Sequence, residues 1–221
     1  MNKFYRSKKL NKAMTYIELV VVLGIFSMMA GITTYNYGVF QTRVDLQNLS
    51  SDIALKASQA EKDSSSGRIP PLAVGRDPVP TWKPSYGLYF NQSSSIANPG
   101  KSFIYYVDVN NDHIYNGPDV VYFQQNPGFP CTGECLEVIN ITKGNYISEI
   151  MAIGTNGSQT LLSGLSALSF TRPSTLLTVS DAFNHVLPNI DYVRITISTP
   201  KGANSVSRIV KLYSSGRLQI N

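Results

Sequence analysis

The 221-residue sequence has little histidine or cysteine, two of each, and a single tryptophan. A structural zinc site takes four ligands, mostly Cys and His, so the close pair in Pro130-Cys131-Thr132-Gly133-Glu134-Cys135 cannot build one alone. No Gly-x-Ser-x-Gly elbow, phosphate-binding loop or His-Glu-x-x-His stretch occurs. His113 and His185 stand in turn-like stretches and read as surface residues, so the chain is not expected to be an enzyme. Acid is missing from the first seventeen residues, and charge of either sign is missing from Leu19 to Phe40. The second absence leaves a run about as long as the ~20 residues that a bilayer-crossing helix requires.

Ahead of that run lie Lys3, Arg6, Lys8, Lys9 and Lys12, and at its leading edge stands one carboxylate, Glu18. A secretory signal would carry a shorter apolar core followed by a small-residue cleavage site. Thr33-Thr34-Tyr35-Asn36-Tyr37 offers no such site. A plain anchor explains the run and, with the flanking bases, a cytoplasmic N-terminus. It does not explain Glu18, because a carboxylate entering lipid is costly and calls for a partner.

The segment Ala13-Met14-Thr15-Tyr16-Ile17-Glu18-Leu19-Val20-Val21-Val22-Leu23-Gly24-Ile25 resembles the class III signal of type IV pilins and pseudopilins. The resemblance implies a leader, residues 1–13, cut after Ala13 by a prepilin peptidase on the cytoplasmic side. Met14 would then be the mature, N-methylated terminus, and its amine would pair with Glu18 of a neighbouring subunit during assembly. The family usually has Gly where Ala13 stands, and many major pilins have a helix-breaking proline where this chain has Tyr35. The implied protein sits as a single pass in the inner (cytoplasmic) membrane, then in a cell-surface pilus or periplasmic pseudopilus. Its implied partners are other pilin or pseudopilin subunits and the peptidase.

The formal charge of +5 (19 Lys+Arg against 14 Asp+Glu) invites a nucleic-acid reading. Without the five leader bases, 14 remain against 14 acids, so global charge carries no such argument. The cysteines fall on the side expected to lie outside the cytoplasm, where disulfides persist. A staple joining Cys131 to Cys135 across the loop is the favoured reading, with free thiols as the alternative.

Beyond the apolar run, 17–40, the helix is expected to continue as an amphipathic half, 41–63, with Val39, Arg43, Leu46, Leu49, Ile53 and Leu55–Lys56 recurring at helical spacing. A proline-rich connector follows, 64–85, and then a β-rich head, 86–221. Strands are expected at Tyr86–Phe90, Ser102–Val109, Val120–Gln124, Leu136–Ile141, Tyr146–Ile153, Thr175–Val179, Ile190–Ser198, Ser207–Tyr213 and Leu218–Ile220. Two of them, Ile190–Ser198 and Ser207–Tyr213, alternate polar and apolar residues, as strands with one wet face do. The fold class is α+β, one long N-terminal helix on an antiparallel sheet domain.

Two stretches in the head could carry binding chemistry. From Asp108 to Asp119, oxygen-bearing side chains fall in the order of an EF-hand calcium loop: Asp108, Asn110, Asp112, Asn116 and Asp119, with Ile114 supplying a carbonyl. His113 stands where such a loop turns on Gly, and a polar hairpin loop is the competing reading. No cofactor is required, and calcium is the one cation the stretch could take.

That loop, with Ser207 to Leu218 at the C-terminus, also resembles GspH/FimT-type minor pseudopilins. In some FimT-like proteins a closing Gly-Arg-x-Arg contributes to DNA uptake. Here it reads Gly216-Arg217-Leu218-Gln219, with Arg194, Lys201, Arg208 and Lys211 nearby. Basic groups neutralise phosphates and also occupy ordinary edge strands. The function expected is a minor pilin or pseudopilin of a type IV pilus or type II secretion system. The alternatives are a DNA-contacting competence pilin, with Arg208, Lys211 and Arg217 on DNA, and a membrane-anchored extracytoplasmic enzyme. DNA or a secreted substrate is the implied ligand.

Overall fold

A computed structural model describes residues 15–70, 84–93, 99–126, 128–171, 176–200 and 205–221. The chain divides into two units, one ending at Gln41 and the other beginning at Thr42. Helix α1(Tyr16–Ser66) contributes to both.

In the first unit α1 is apolar on every side, and its described side chains from Tyr16 to Thr34 are all exposed. A helix hydrophobic all round is one whose cover comes from outside. Thr15 starts it: the Thr15 carbonyl accepts from Leu19 N at 3.1 Å and its Oγ1 from Glu18 N at 3.4 Å.

In the second unit one face of α1 carries Leu46, Leu49, Ile53, Ala57 and Ala60, all buried. Complete burial of Leu46 and Ile53 contributes about 2 kcal/mol each. The expected stripe through Leu55 is corrected here. Leu55 is 66 % exposed, and the two alanines continue the buried face, their small side chains letting the helix lie close on the sheets.

The helix also runs three residues past the expected stop at Asp63. It ends where Gly67 takes a left-handed φ of 64°, with Gly67 N donating to Ser64 O at 3.2 Å and Arg68 N to Asp63 O at 3.1 Å. This Schellman geometry satisfies the last helical carbonyls, and glycine adopts it without a Cβ penalty.

Two antiparallel five-stranded sheets complete the head. Sheet A has the order β3(Cys135–Asn140), β2(Ser102–Asp108), β1(Ser85–Asn91), β6(Leu165–Thr171), β7(Leu176–Ser180). Sheet B has the order β10(Leu218–Ile220), β9(Ser207–Tyr213), β8(Ile190–Ser198), β4(Tyr146–Gly154), β5(Gln159–Leu161). The main core lies between α1 and the inner faces of both sheets, around Phe90, Phe103, Phe170, Ile150, Ile195 and Val210.

A second cluster covers the other face of sheet A. There Tyr89, Ile104, Tyr106 and Ala167 meet Tyr115, Val120 and Phe123 of the excursion between β2 and β3, with Cys135 at the start of β3. Covered on both faces, β1 and β2 are buried at every residue, whereas β8 alternates. Gly87 permits the crowding in β1: a Cβ there would strike the Leu168 carbonyl and the Tyr106 ring.

Three expectations need correction. Val120–Gln124 is not a strand but part of α2(Val120–Gln125), started by Asp119, whose carboxylate accepts from Val120 N at 2.6 Å. The apolar run suits either structure, and the Asp cap decides it. β5 and β6 were not anticipated. β6, Leu-Ser-Ala-Leu-Ser-Phe-Thr, mixes small polar with apolar residues without a period of two and lies inside sheet A.

Candidate functional site

The implied processing residues Ala13 and Met14 lie outside the described residues. Glu18, the implied assembly residue, is in the first turn of α1 and exposed, in the third position after the capping Thr15. Thr-x-x-Glu is the capping-box spacing, in which an acid also complements the positive helix start. Gly24, Gly31 and Gly38 recur every seventh residue, a Cβ added at any of them would meet nothing within 4 Å, and the helix continues unbroken through all three. α1 therefore holds a segment long and apolar enough to cross a membrane.

The Asp108–Asp119 stretch folds as a loop organised by buried carboxylates. Asp108 Oδ1 accepts from Asn111 N at 2.6 Å and Asp112 N at 3.2 Å, and Oδ2 from His113 N at 2.9 Å. These bonds hold Asn111 and His113 at positive φ, 61° and 65°. Asp112 Oδ2 takes the side-chain amides of Asn110 and Asn116, both at 2.7 Å, and its Oδ1 takes Ile114 N at 2.8 Å. Glu134, between the two cysteines, accepts from Val109 N at 2.9 Å and Asn116 N at 2.7 Å and ties both ends of the loop together. Sequence reasoning missed Glu134, since its partners are remote along the chain.

Burial pushes the Asp108 and Glu134 carboxyls above their ordinary range, against the lowering effect of the amides that they accept. Asp119 is occupied elsewhere: besides capping α2 it takes Asn91 Nδ2 at 2.6 Å and Tyr89 OH at 3.3 Å. Of the expected calcium ligands, Asp108, Asn110, Asp112 and Asn116 are thus brought together by hydrogen bonds, and Asp119 is not among them. Among the described residues no group of three or more His, Cys, Asp or Glu is placed to hold a metal ion.

Cys131 and Cys135 form a disulfide with their Cα atoms 5.0 Å apart. It closes the excursion that covers the outer face of sheet A, directly before β3. At the end of α1, Asp63 Oδ2 accepts from Tyr105 OH at 2.7 Å and Arg68 Nη1 at 2.8 Å, while Tyr86 OH donates to Arg68 O at 2.6 Å. This network joins the helix end to β1 and β2. Burial, reinforced by the Asp63 charge, raises the Tyr86 hydroxyl to about 12.

The basic residues near the C-terminus divide by strand parity. Arg194 and Lys211 lie opposite each other in the β8–β9 register, as do Tyr192 and Tyr213. All four share the face of sheet B turned away from the core. Lys211 Nζ sits 5.4 Å from the Tyr192 ring centre, the Tyr192 and Tyr213 rings are 5.3 Å apart, and the Arg217 guanidinium lies 3.9 Å from the Tyr213 ring centre. Lys211, Tyr192, Tyr213 and Arg217 thus form a continuous basic-aromatic row.

Arg194 is held at its side by Glu149 at 3.0 Å. Arg208 is displaced: it shares the parity of buried Val210 and Leu212 and belongs to the other face. Lys201 lies outside the described residues. The signal for the basic-aromatic row in the sequence is the shared parity of Tyr192 and Tyr213 with Arg194 and Lys211.

Each histidine has a carboxylate neighbour beyond hydrogen-bond distance, His113 Nδ1 at 3.5 Å from Asp108 and His185 Nδ1 at 3.7 Å from Asp181. Among the described residues, neither lines the grooves at Phe123, Leu49, Tyr146 or Tyr86. Comparison with protein-family models, curated proteins and solved structures finds no match.

Proposed function

We propose that this chain is a minor pilin or pseudopilin, a structural subunit that is cut after Ala13, held in the inner membrane, and assembled into a filament through α1. The observation that carries this reading is the division of labour within one helix. Its first part is apolar on all sides and exposed from Tyr16 to Thr34, while its last part supplies Leu46, Ile53 and Ala60 to the core of the head. Such a helix satisfies a membrane first and a bundle of like helices later. The glycines at seven-residue intervals support close helix packing, which small residues allow. In the filament, Glu18 pairs with the Met14 amine of a neighbour, and removal of one partner leaves a costly unpaired charge.

The test is Glu18→Ala in a cell that makes the filament. The variant is cut and methylated like the parent, but its recovery in sheared filaments falls by about tenfold or more, as loss of ~1.4 kcal/mol or more per contact requires. Incorporation at the parental level contradicts the assignment of Glu18.

A second reading, a subunit that also contacts DNA, is favoured by the Lys211–Tyr192–Tyr213–Arg217 row. Cations beside neighbouring aromatic rings suit single-stranded nucleic acid, whose bases stack on such rings and whose phosphates need neutralising. Replacing Lys211 and Arg217 together by Ala lowers affinity for a single-stranded oligonucleotide. It also makes the salt dependence shallower by about 0.7 per lost charge in log–log slope. Binding with an unchanged slope contradicts this reading.

A further inference from the structure

We propose that the open edge of β3 is a strand-addition site, which takes an extended segment of a partner protein whose residues alternate between basic and large apolar. The inference does not depend on how the chain is anchored or processed. At the opposite end of sheet A, β7 is covered: Leu177 N donates to Ser214 O at 3.0 Å and Leu187 N to Val179 O at 2.8 Å. The end strands of sheet B, β5 and β10, are three residues each. β3 has six residues, and among the described residues no strand pairs with its outer side.

The bond from Ile141 N to Lys101 O at 2.8 Å fixes the alternation along β3. Glu137 and Ile139 turn their amides and carbonyls toward β2, while Val138 and Asn140 turn theirs outward. Edge strands are ordinarily blocked by lysine, proline or a bulge. The only register shift here lies before Glu137, and Cys-Leu-Glu-Val-Ile-Asn contains neither lysine nor proline.

A wall stands on each side of this edge. On the core side Asp45, Asn48 and Asp52 of α1 form, with Ile139, a groove of about 270 Å³. On the other side Phe123 and Phe129 form, with Val138, a groove of about 440 Å³. A sixth strand would send alternate side chains into the two walls while its backbone met Val138 and Asn140.

The chemistry of the walls sets the occupant. On the outer wall Phe123 and Phe129 lie beside Asn126 and Asn140, and a large apolar residue packs against the two rings. On the inner wall Asp45 is held by Lys143 and Glu137 by Lys56, both at 2.6 Å, whereas Asp52 has no partner among the described residues and is exposed. Asp52 therefore selects a lysine or arginine at the alternate positions.

The test uses the full chain in neutral detergent micelles with the acetylated, amidated heptapeptide Lys-Phe-Lys-Val-Lys-Phe-Lys. A twin carrying N-methyl groups on alternate backbone amides keeps the side chains and loses the donors. At about 1 mM peptide, amide exchange at Val138 and Asn140 slows by about tenfold with the first peptide and not with the twin. Asn140→Pro removes an outward amide at an exposed position, and Asp52→Lys reverses the inner wall. Each weakens peptide binding about tenfold without lowering Tm, and Asp52→Lys instead binds the peptide with Glu in place of Lys. The proposal is overturned by unchanged exchange at Val138 and Asn140, or by equal protection from the twin. It is also overturned if protection without peptide grows with protein concentration, which would make the occupant a second copy of the chain.

Discussion

Asp108 and Glu134 show how single carboxylates shape the covered face of sheet A. Asp108 accepts three backbone amides of the turn, and Glu134 closes the same turn from the far side of the disulfide loop. Asparagine at 108 keeps one acceptor oxygen and aims an NH₂ at donors. Asp108→Asn is therefore expected to lower the stability of the head by about 1–3 kcal/mol, measured by chemical denaturation. Glu134→Gln separates hydrogen bonding from titration. The folded Glu134 pKa is raised, so the carboxyl binds its proton more tightly folded than unfolded. Its contribution is fully present below the ordinary value of 4.5 and is lost as pH rises through the raised value. The stability difference between parent and Glu134→Gln should shrink from pH 4 to pH 7, and a difference that widens would contradict the assignment. Asp108 was legible in the sequence because Asp-Val-Asn-Asn-Asp spells a turn at short range. Glu134 was not, since nothing near it in the chain announces a buried acceptor.

Among the elements, α1 is the one whose boundaries bear most on function, and its stop depends on Gly67. At φ 64° any Cβ is strained, so Gly67→Ala costs about 1 kcal/mol, while Gly67→Asn, which tolerates the left-handed region, costs less. Equal losses in melting experiments would mean that the helix end is held by the Asp63–Arg68–Tyr105 network instead. α1 was readable because an unbroken apolar run passes into residues at helical spacing, and β8 and β9 because polar and apolar residues alternate along most of their length. The sequence hid α2, where Val-Val-Tyr-Phe fits either period and only the side chain of Asp119 arbitrates. β6 was hidden for another reason: Ser166 and Ser169 are buried in a strand whose neighbours cover both faces, and small polar residues there resemble a loop. Parity in β8 and β9 also fixed which cations share a face, keeping Lys211 with Tyr192 and setting Arg208 apart.

Across the whole molecule the two parts of α1 impose different demands on one chain. Leu46, Leu49, Ile53, Ala57 and Ala60 are satisfied by the head's own sheets, whereas the apolar residues from Tyr16 to Thr34 are exposed. The proposed sequence of events meets the second demand first with lipid and then with neighbouring subunits. It requires the five leader bases, which hold the N-terminus in the cytoplasm, to be removed before assembly. The intact mass of the protein extracted from membranes, made with and without the prepilin peptidase, tests this directly. The account predicts that only with the peptidase does the mass correspond to residues 14–221 bearing one added methyl group. A full-length mass in both cases would contradict it and leave a membrane-anchored head with no route into a filament.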